Sequence, residues 1–244
     1  MIRNFENRMM KNISKKNVPL TIIIIFIVIF FSSCKKEASP RIFPPPQSCP
    51  DIPFVNYQGE SYPTVLIGEQ CWLSKNLTIG NMVISDMSNN DTIEKHCYND
   101  DPYNCNIYGG LYSWDEAMQY STSEGSRGIC PEGWHIPSEK EFTELLLYCD
   151  FYPDYLMNTE SGLWFYYQES LSYQNAVGFS AIPAGIKETG EFLLINKKEF
   201  FFTSSMVSNS RFYHLALPFW DLGGIYSSDY ERKLEASVRC IKDE

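Results

Sequence analysis

The chain has 244 residues, 44% hydrophobic, 15% aromatic and 20% charged, with 30 acidic against 20 basic side chains and a formal net charge of −10. That suffices for one large globular domain, is too aromatic for disorder, and excludes collagen-like, coiled-coil and polytopic membrane classes. The first 33 residues hold five basic side chains and one acidic, so without them the balance moves from −10 to −14. Lys and Arg are concentrated no further than in pairs such as Lys35–Lys36 and Lys197–Lys198, so nucleic acid is not an expected partner.

At the amino terminus an apolar run of 12 residues, Leu20 to Phe31, follows a basic leader and ends in Ser32, Ser33 and Cys34. The run is shorter than the roughly 20 residues that cross a bilayer. It reads as a secretory signal over residues 1–33. Cys34 stands where a lipoprotein signal is cut and acylated, although Phe31 occupies a position where Leu is usual. The expectation is an outer-membrane lipoprotein, facing periplasm or cell surface, whose first partner is the membrane through its amino-terminal lipid. Residues 34–53, with Pro44, Pro45 and Pro46 in succession, read as a polyproline II tether rising about 3.1 Å per residue. Residues 54–244 read as one domain.

Beyond Cys34 there are seven cysteines: Cys49, Cys71, Cys97, Cys105, Cys130, Cys149 and Cys240. Disulfides are expected in an exported chain, and an odd count leaves at least one thiol over. No CxxC pair occurs and His96, His135 and His214 are scattered, so a zinc site is not expected. The segment Cys97–Cys105, CYNDDPYNC, reads as an Asx-rich turn closed by a disulfide rather than a calcium loop, because the EF-type glycine and distal glutamate are missing.

Tyr62 to Leu73 predicts a β-hairpin turning at Gly68-Glu69, with glycine at the first central position of a type II′ turn. Ser113-x-x-Glu116 and Ser138-x-x-Glu141 predict two helices, each opened by a capping box. In the second, Phe142, Leu145, Leu146 and Cys149 form one apolar stripe. From Gly162 onward short aromatic and β-branched runs predict strands: LWFYY at Leu163, AVGFSAI at Ala176, EFLLI at Glu191, EFFFTSS at Glu199, RFYHLAL at Arg211, GIYSS at Gly224 and ASVRCIK at Ala236. A hairpin, two helices and many antiparallel strands make an α+β domain.

No HExxH, GxSxG, P-loop or GxGxxG motif occurs, and no cofactor is expected. His135 and His214 are the most reactive positions by type but read as packing residues. The 30 carboxylates contain no spacing that marks a glycosidase pair. The aromatic excess of 16 Tyr, 16 Phe and 5 Trp is mostly core. Trp164, Tyr166, Tyr167, Trp220 and Tyr226 lie beside turn signals and are candidates for stacking on a ligand.

Laid end to end, YPTVLIGEQCWLSKNL (Tyr62 to Leu77), CYNDDPYNC, YGGLYSWDEAM (Tyr108 to Met118), GICPEGWHIPSEKEFTELL (Gly128 to Leu146), GFSAIPAG (Gly178 to Gly185), FFTSS (Phe201 to Ser205) and SVRCIKD (Ser237 to Asp243) resemble the Fibrobacter succinogenes major paralogous domain. Where that family has a Trp-Trp-Ser-Ser type segment this chain has Phe201-Phe202-Thr203-Ser204-Ser205. CPxGW, PSxxEF and the closing VRC are also similar to the C-type lectin-like group, which implies two helices packed on an irregular antiparallel sheet. The resemblance further implies the bridges Cys130–Cys240 and Cys97–Cys105, with partners for Cys49, Cys71 and Cys149 unassigned. The functional expectation is a non-catalytic binding or adhesion module for a polysaccharide or surface-protein ligand. The alternatives are a glycan-active or formylglycine-generating-like enzyme and a structural surface-assembly component. The formylglycine-generating reading needs a pair of reactive cysteines near the carboxyl end, where only Cys240 follows Cys149.

Overall fold

The structure, a computed structural model, describes residues 41–165, 174–208, 211–217, 224–227 and 233–244. Its compact unit starts at Ile42. Within it the later part of the proline-rich segment is laid along the body. Gln47 bridges to Leu66, Phe43 packs on Tyr155 at 4.8 Å, and Cys49 is bonded to Cys71.

The predicted hairpin forms from β2 (Glu60–Ile67) and β3 (Gln70–Leu73), with Ile67 opposite Gln70. Gly68 has φ +62° while Glu69 is not in the left-handed region, as a type II′ turn requires. β1 (Phe54–Tyr57) pairs with the free edge of β2, and β14 (Ile241–Lys242) pairs with β3 and with β7 (Trp134–His135). The result is a five-stranded sheet in the order β1-β2-β3-β14-β7. A second sheet has the order β6-β13-β8-β9, from Tyr112–Ser113, Leu234–Ala236, Ile186–Glu188 and Glu191–Leu193. A third is the meander β10 (Glu199–Ser208), β11 (Arg211–Leu217) and β12 (Gly224–Ser227). The short parallel pair β4 (Asn81–Met82) and β5 (Glu94–Lys95) stands apart.

Because side chains on a strand alternate, neighbouring residues feed two different cores. Trp72, Phe201 and Ile241 enter one with Phe142, Leu145 and Phe179. Leu73, Phe202 and Cys240 enter the other with Tyr62, Trp114 and Phe212.

The helix opened by Ser138 forms as predicted, α3 (Glu139–Tyr148), after two shorter ones, α1 (Pro102–Tyr108) and α2 (Trp114–Ala117). Its capping box is complete: the Ser138 hydroxyl accepts from the Glu141 amide and the Glu141 carboxylate accepts from the Ser138 amide at 2.6 Å. All four residues of the predicted stripe are buried.

The first predicted helix is a single turn. Ser113 does cap it, accepting from the Glu116 amide at 3.2 Å. The Glu116 carboxylate, however, takes the Glu94 amide at 3.0 Å instead of reaching back. Gln119 and Tyr120 then adopt φ +49° and +60°, which ends the helix.

The Asx-rich loop is half helix, α1, for a reason present in its sequence. Asp101 accepts the Tyr103 amide as N-cap and Pro102 sits at the first helical position. Strands form at the Glu191, Glu199, Arg211 and Gly224 runs. Leu163 to Phe165 is not a strand, and residues 166–173 lie outside the described residues. AVGFSAI is a turn with one bridge, Met157 to Ala181, because Asn175, Gly178 and Ser180 take left-handed φ values that a strand excludes. ASVRCIK splits into β13 and β14 around Arg239.

The α+β, C-type lectin-like expectation is therefore corrected. Among the described residues strand outweighs helix, 35% against 15%, in curled antiparallel sheets with three helices. The physical reason is the shortness of α1 and α2: only α3 carries a full amphipathic face, and it packs on the third sheet.

Candidate functional site

Among the polar clusters of the described residues, one buried network and one latch are structural and a third opens to solvent. The first is buried and collects the residues that carry the sequence motifs. The Arg239 guanidinium donates to Asn76 Oδ1 at 2.6 Å and to the carbonyls of Leu73 and Phe179, and lies 4.5 and 5.1 Å from the Phe179 and Phe201 rings. The Asn76 amide donates to Glu199 at 3.0 Å, and Glu199 also accepts the Ala184 amide at 2.7 Å. Burial pushes the Glu199 carboxyl up and the Arg239 guanidinium down, and their mutual attraction opposes both shifts. Asn76 of SKNL, Phe179 of GFSAIPAG, Phe201 of FFTSS and Arg239 of VRC thus meet at one point inside the domain. These motifs report a packing solution, not a reaction centre.

The second cluster is a latch on β7. His135 Nε2 lies 2.9 Å from Glu141 of α3, and its Nδ1 lies 2.7 Å from Asp243 beyond β14. Burial opposes the imidazolium, but the hydrogen bonds and charges of Glu141 and Asp243 outweigh it and the His135 pKa is raised. Burial also opposes the Glu141 carboxylate, and His135 and Ser138 outweigh it, so that pKa is lowered. The His135 contribution is full below its unfolded value of 6.5 and is lost as pH rises through the raised folded value. The Glu141 contribution is present above 4.5 and lost as pH falls through the lowered one. The latch is accordingly strongest between those two pH values. Asp243 is 54% exposed, so solvent screening holds the effect to about 1 kcal/mol. Urea unfolding at pH 5.5 and pH 8.5 should show His135→Asn changing the stability difference between the two pH values by about 1 kcal/mol, its loss being the larger at pH 5.5. An unchanged gap would mean the latch does not titrate.

The third cluster opens to solvent. Across the second sheet the register aligns Ser113, Glu235, Lys187 and Phe192 as one row on β6, β13, β8 and β9. His96 is fully buried beside that row, bridged to Leu111 through its backbone. Its Nδ1 lies 2.6 Å from Glu235 Oε2 and its Nε2 2.8 Å from Lys187 Nζ. An ammonium can only donate, so Nε2 accepts, and Nδ1 carries the proton and donates to Glu235. The imidazole is thereby held between the Lys187 ammonium and a carboxylate whose other oxygen is 3.9 Å from Lys187. Phe192 closes the far side, 5.4 Å from the ammonium.

Lys187 and Glu235 form the floor of a cleft of about 460 Å³, walled by Asp86, Ser113, Asp115, Tyr120 and Thr189. That volume is in the ordinary range for small-ligand sites. The Tyr120 hydroxyl donates to Glu116 at 3.0 Å, which fixes the ring in the wall. Burial, together with the hydrogen bond and negative charge of Glu116, pushes the phenol pKa up, so Tyr120 stays protonated. The cleft offers donors, acceptors and one aromatic wall within a single concave surface.

His96, Lys187 and Glu235 were not singled out as a site by sequence, since His96 and Glu235 are 139 positions apart. Of the sequence candidates, Cys97–Cys105 and Cys130–Cys240 are paired. Cys71 pairs with Cys49, and buried Cys149 lies outside the three bridges. Trp164 is 3% exposed, within the core with Phe179, and offers no open ring face. Tyr226 is 43% exposed on β12, its ring 6.2 Å from that of buried His214. Burial lowers the His214 pKa to about 4 and keeps it neutral. Cys34, Tyr166, Tyr167 and Trp220 lie outside the described residues.

No curated protein and no solved structure matches the chain. A family model, the Fibrobacter succinogenes major domain, matches residues 65–242, nearly three quarters of the sequence. That span holds the hairpin from Val65, the three helices of the described residues and every motif residue of the buried network, and the chain belongs to the Fibrobacter succinogenes major domain family.

Proposed function

We propose that this is an exported, lipid-anchored envelope protein whose domain recognises a neutral polysaccharide, without transforming it, in the cleft floored by Lys187 and Glu235. The cleft carries the reading. It sets an ammonium, a carboxylate oxygen, two hydroxyl side chains and a tyrosine ring around one concavity, the mixture that suits a ligand with many hydroxyls and an apolar sugar face. Asp86, Asp115 and Glu235 outnumber Lys187 and Lys233 around it, on a chain of net −10, which disfavours acidic glycans. Export and anchoring are supported by the apolar run ending at Cys34 and by three disulfides, which persist in oxidising compartments. The Arg239 network is absorbed by packing and the His135 cluster by the latch, which favours recognition over catalysis.

The test is equilibrium binding of the intact protein to an array of neutral and acidic polysaccharides. A neutral glycan should be retained. Lys187→Met or Asp86→Arg should weaken it roughly tenfold to a hundredfold, the effect of losing one charge-assisted hydrogen bond. Asp86 is exposed, so its variant reads binding without disturbing the fold. An empty array, or a glycan indifferent to both changes, removes the cleft from the proposal.

A further inference from the structure

The carboxyl end of α3 carries an unexplained apolar surface. The helix closes in a Schellman arrangement, with the Phe151 amide donating to the Leu146 carbonyl at 2.8 Å and the Asp150 amide to the Leu147 carbonyl at 3.1 Å. Glycine is usual at the left-handed position of this motif, but here Asp150 and Phe151 take φ +51° and +60° in succession. A bulky residue in that region is strained. The residue after the turn commonly folds back on the last helical turn. Phe151 instead stays 42% exposed, beside Leu147 at 54% and Tyr152 at 52%. Tyr152 continues through Tyr155 to Phe43 and Tyr148, with ring centroids 5.8, 4.8 and 5.5 Å apart. The patch therefore ends on the residue by which the amino-terminal segment enters the domain.

That position names the occupant. Eight residues lie between Cys34 and Phe43, a covalent reach of at most about 30 Å. An acyl group at Cys34 would confine this patch to that distance from the bilayer, an effective concentration at which weak contacts suffice. Tyrosine and phenylalanine with a leucine are the side chains that settle at a lipid interface. The segment 145–155 contains Asp150 and Asp154 but no Lys or Arg, so the fit is to zwitterionic rather than anionic headgroups.

We propose that Leu147, Phe151 and Tyr152 form a membrane-contact surface that seats the domain on a zwitterionic lipid face. The inference rests on the anchored reading above and adds a second attachment point to it.

The lipidated full chain in phosphatidylcholine nanodiscs doped with a diazirine phospholipid provides the test, with adducts mapped by mass spectrometry after illumination. Adducts on residues 145–155 should exceed those around exposed Tyr103 of α1 at least fivefold, and the variant L147S/F151S/Y152S should lose them. Equal labelling of both segments overturns the proposal, as does protein-to-protein crosslinking through 145–155, which would make the patch a contact between copies. The same spectra report the mass on Cys34. An unacylated Cys34 overturns the anchored reading and this inference together, whereas an acylated chain without adducts overturns this inference alone.

Discussion

Replacing Cys130 and Cys240 together by alanine should lower stability by about 4 to 5 kcal/mol, the chain-entropy value for the 110-residue loop the bridge closes. For a domain of this size that is a drop in Tm of roughly 10 to 20 °C. Removing Cys49–Cys71, which closes 22 residues, should cost about 3 kcal/mol, and removing Cys97–Cys105, which closes 8, about 2.5. The long bridge also has most to hold locally. β14 is two residues long, yet it joins the hairpin to β7 as the only strand between them. Just before it, the Cys240 carbonyl accepts the Leu73 amide at 3.0 Å. Urea unfolding of the three double variants under non-reducing conditions measures the order. Equal losses for all three would show that loop length does not govern these bridges.

What was legible in the sequence was local. The hairpin follows from Gly68, α3 from Ser138 and Glu141 with its stripe, and the third sheet from the runs at Glu199, Arg211 and Gly224; each signal spans at most a dozen residues. Two failures also fell on short motifs. Asp101-Pro102 carries a helix start inside a segment whose asparagines and aspartates suggest only a turn. Glu116 has the spacing of a capping box, but the Glu94 amide, 22 positions away, claims its carboxylate.

The larger failures come from distance. AVGFSAI has the composition of a strand because Val177, Phe179 and Ala181 are buried, yet tertiary packing buries them without a ladder. The lectin-like expectation drew on CPxGW, PSxxEF and VRC, which describe the surroundings of one disulfide, one helix cap and one buried arginine. Such pieces do not fix strand order. The cleft was invisible for the same reason. Its floor is made by strand register among β6, β13 and β8, with His96 brought in from a separate segment.

Arg239→Met should prove the most damaging single change, at about 3 to 5 kcal/mol, because it leaves a buried carboxylate without its opposing charge. Arg239 and Glu199 are both fully buried, and Asn76 stands between them, accepting from one and donating to the other. With the guanidinium gone, the Glu199 carboxylate keeps only the neutral donors Asn76, Ser237 and Ala184 N–H. Its folded pKa, already raised by burial, moves further above the ordinary 4.5. The folded state then binds a proton that the unfolded state has released, so stability falls as pH rises above about 4.5. Adding Glu199→Gln removes that proton from both states. The double variant should therefore match Arg239→Met near pH 5 and exceed it near pH 8, while the His135 latch contributes equally to both and cancels in the difference. Urea midpoints at the two pH values decide it. If the two variants differ by the same amount at both, the Glu199 carboxyl is not held above its ordinary range once Arg239 is gone, and the cost of Arg239→Met comes from the lost hydrogen bonds and packing of the guanidinium alone.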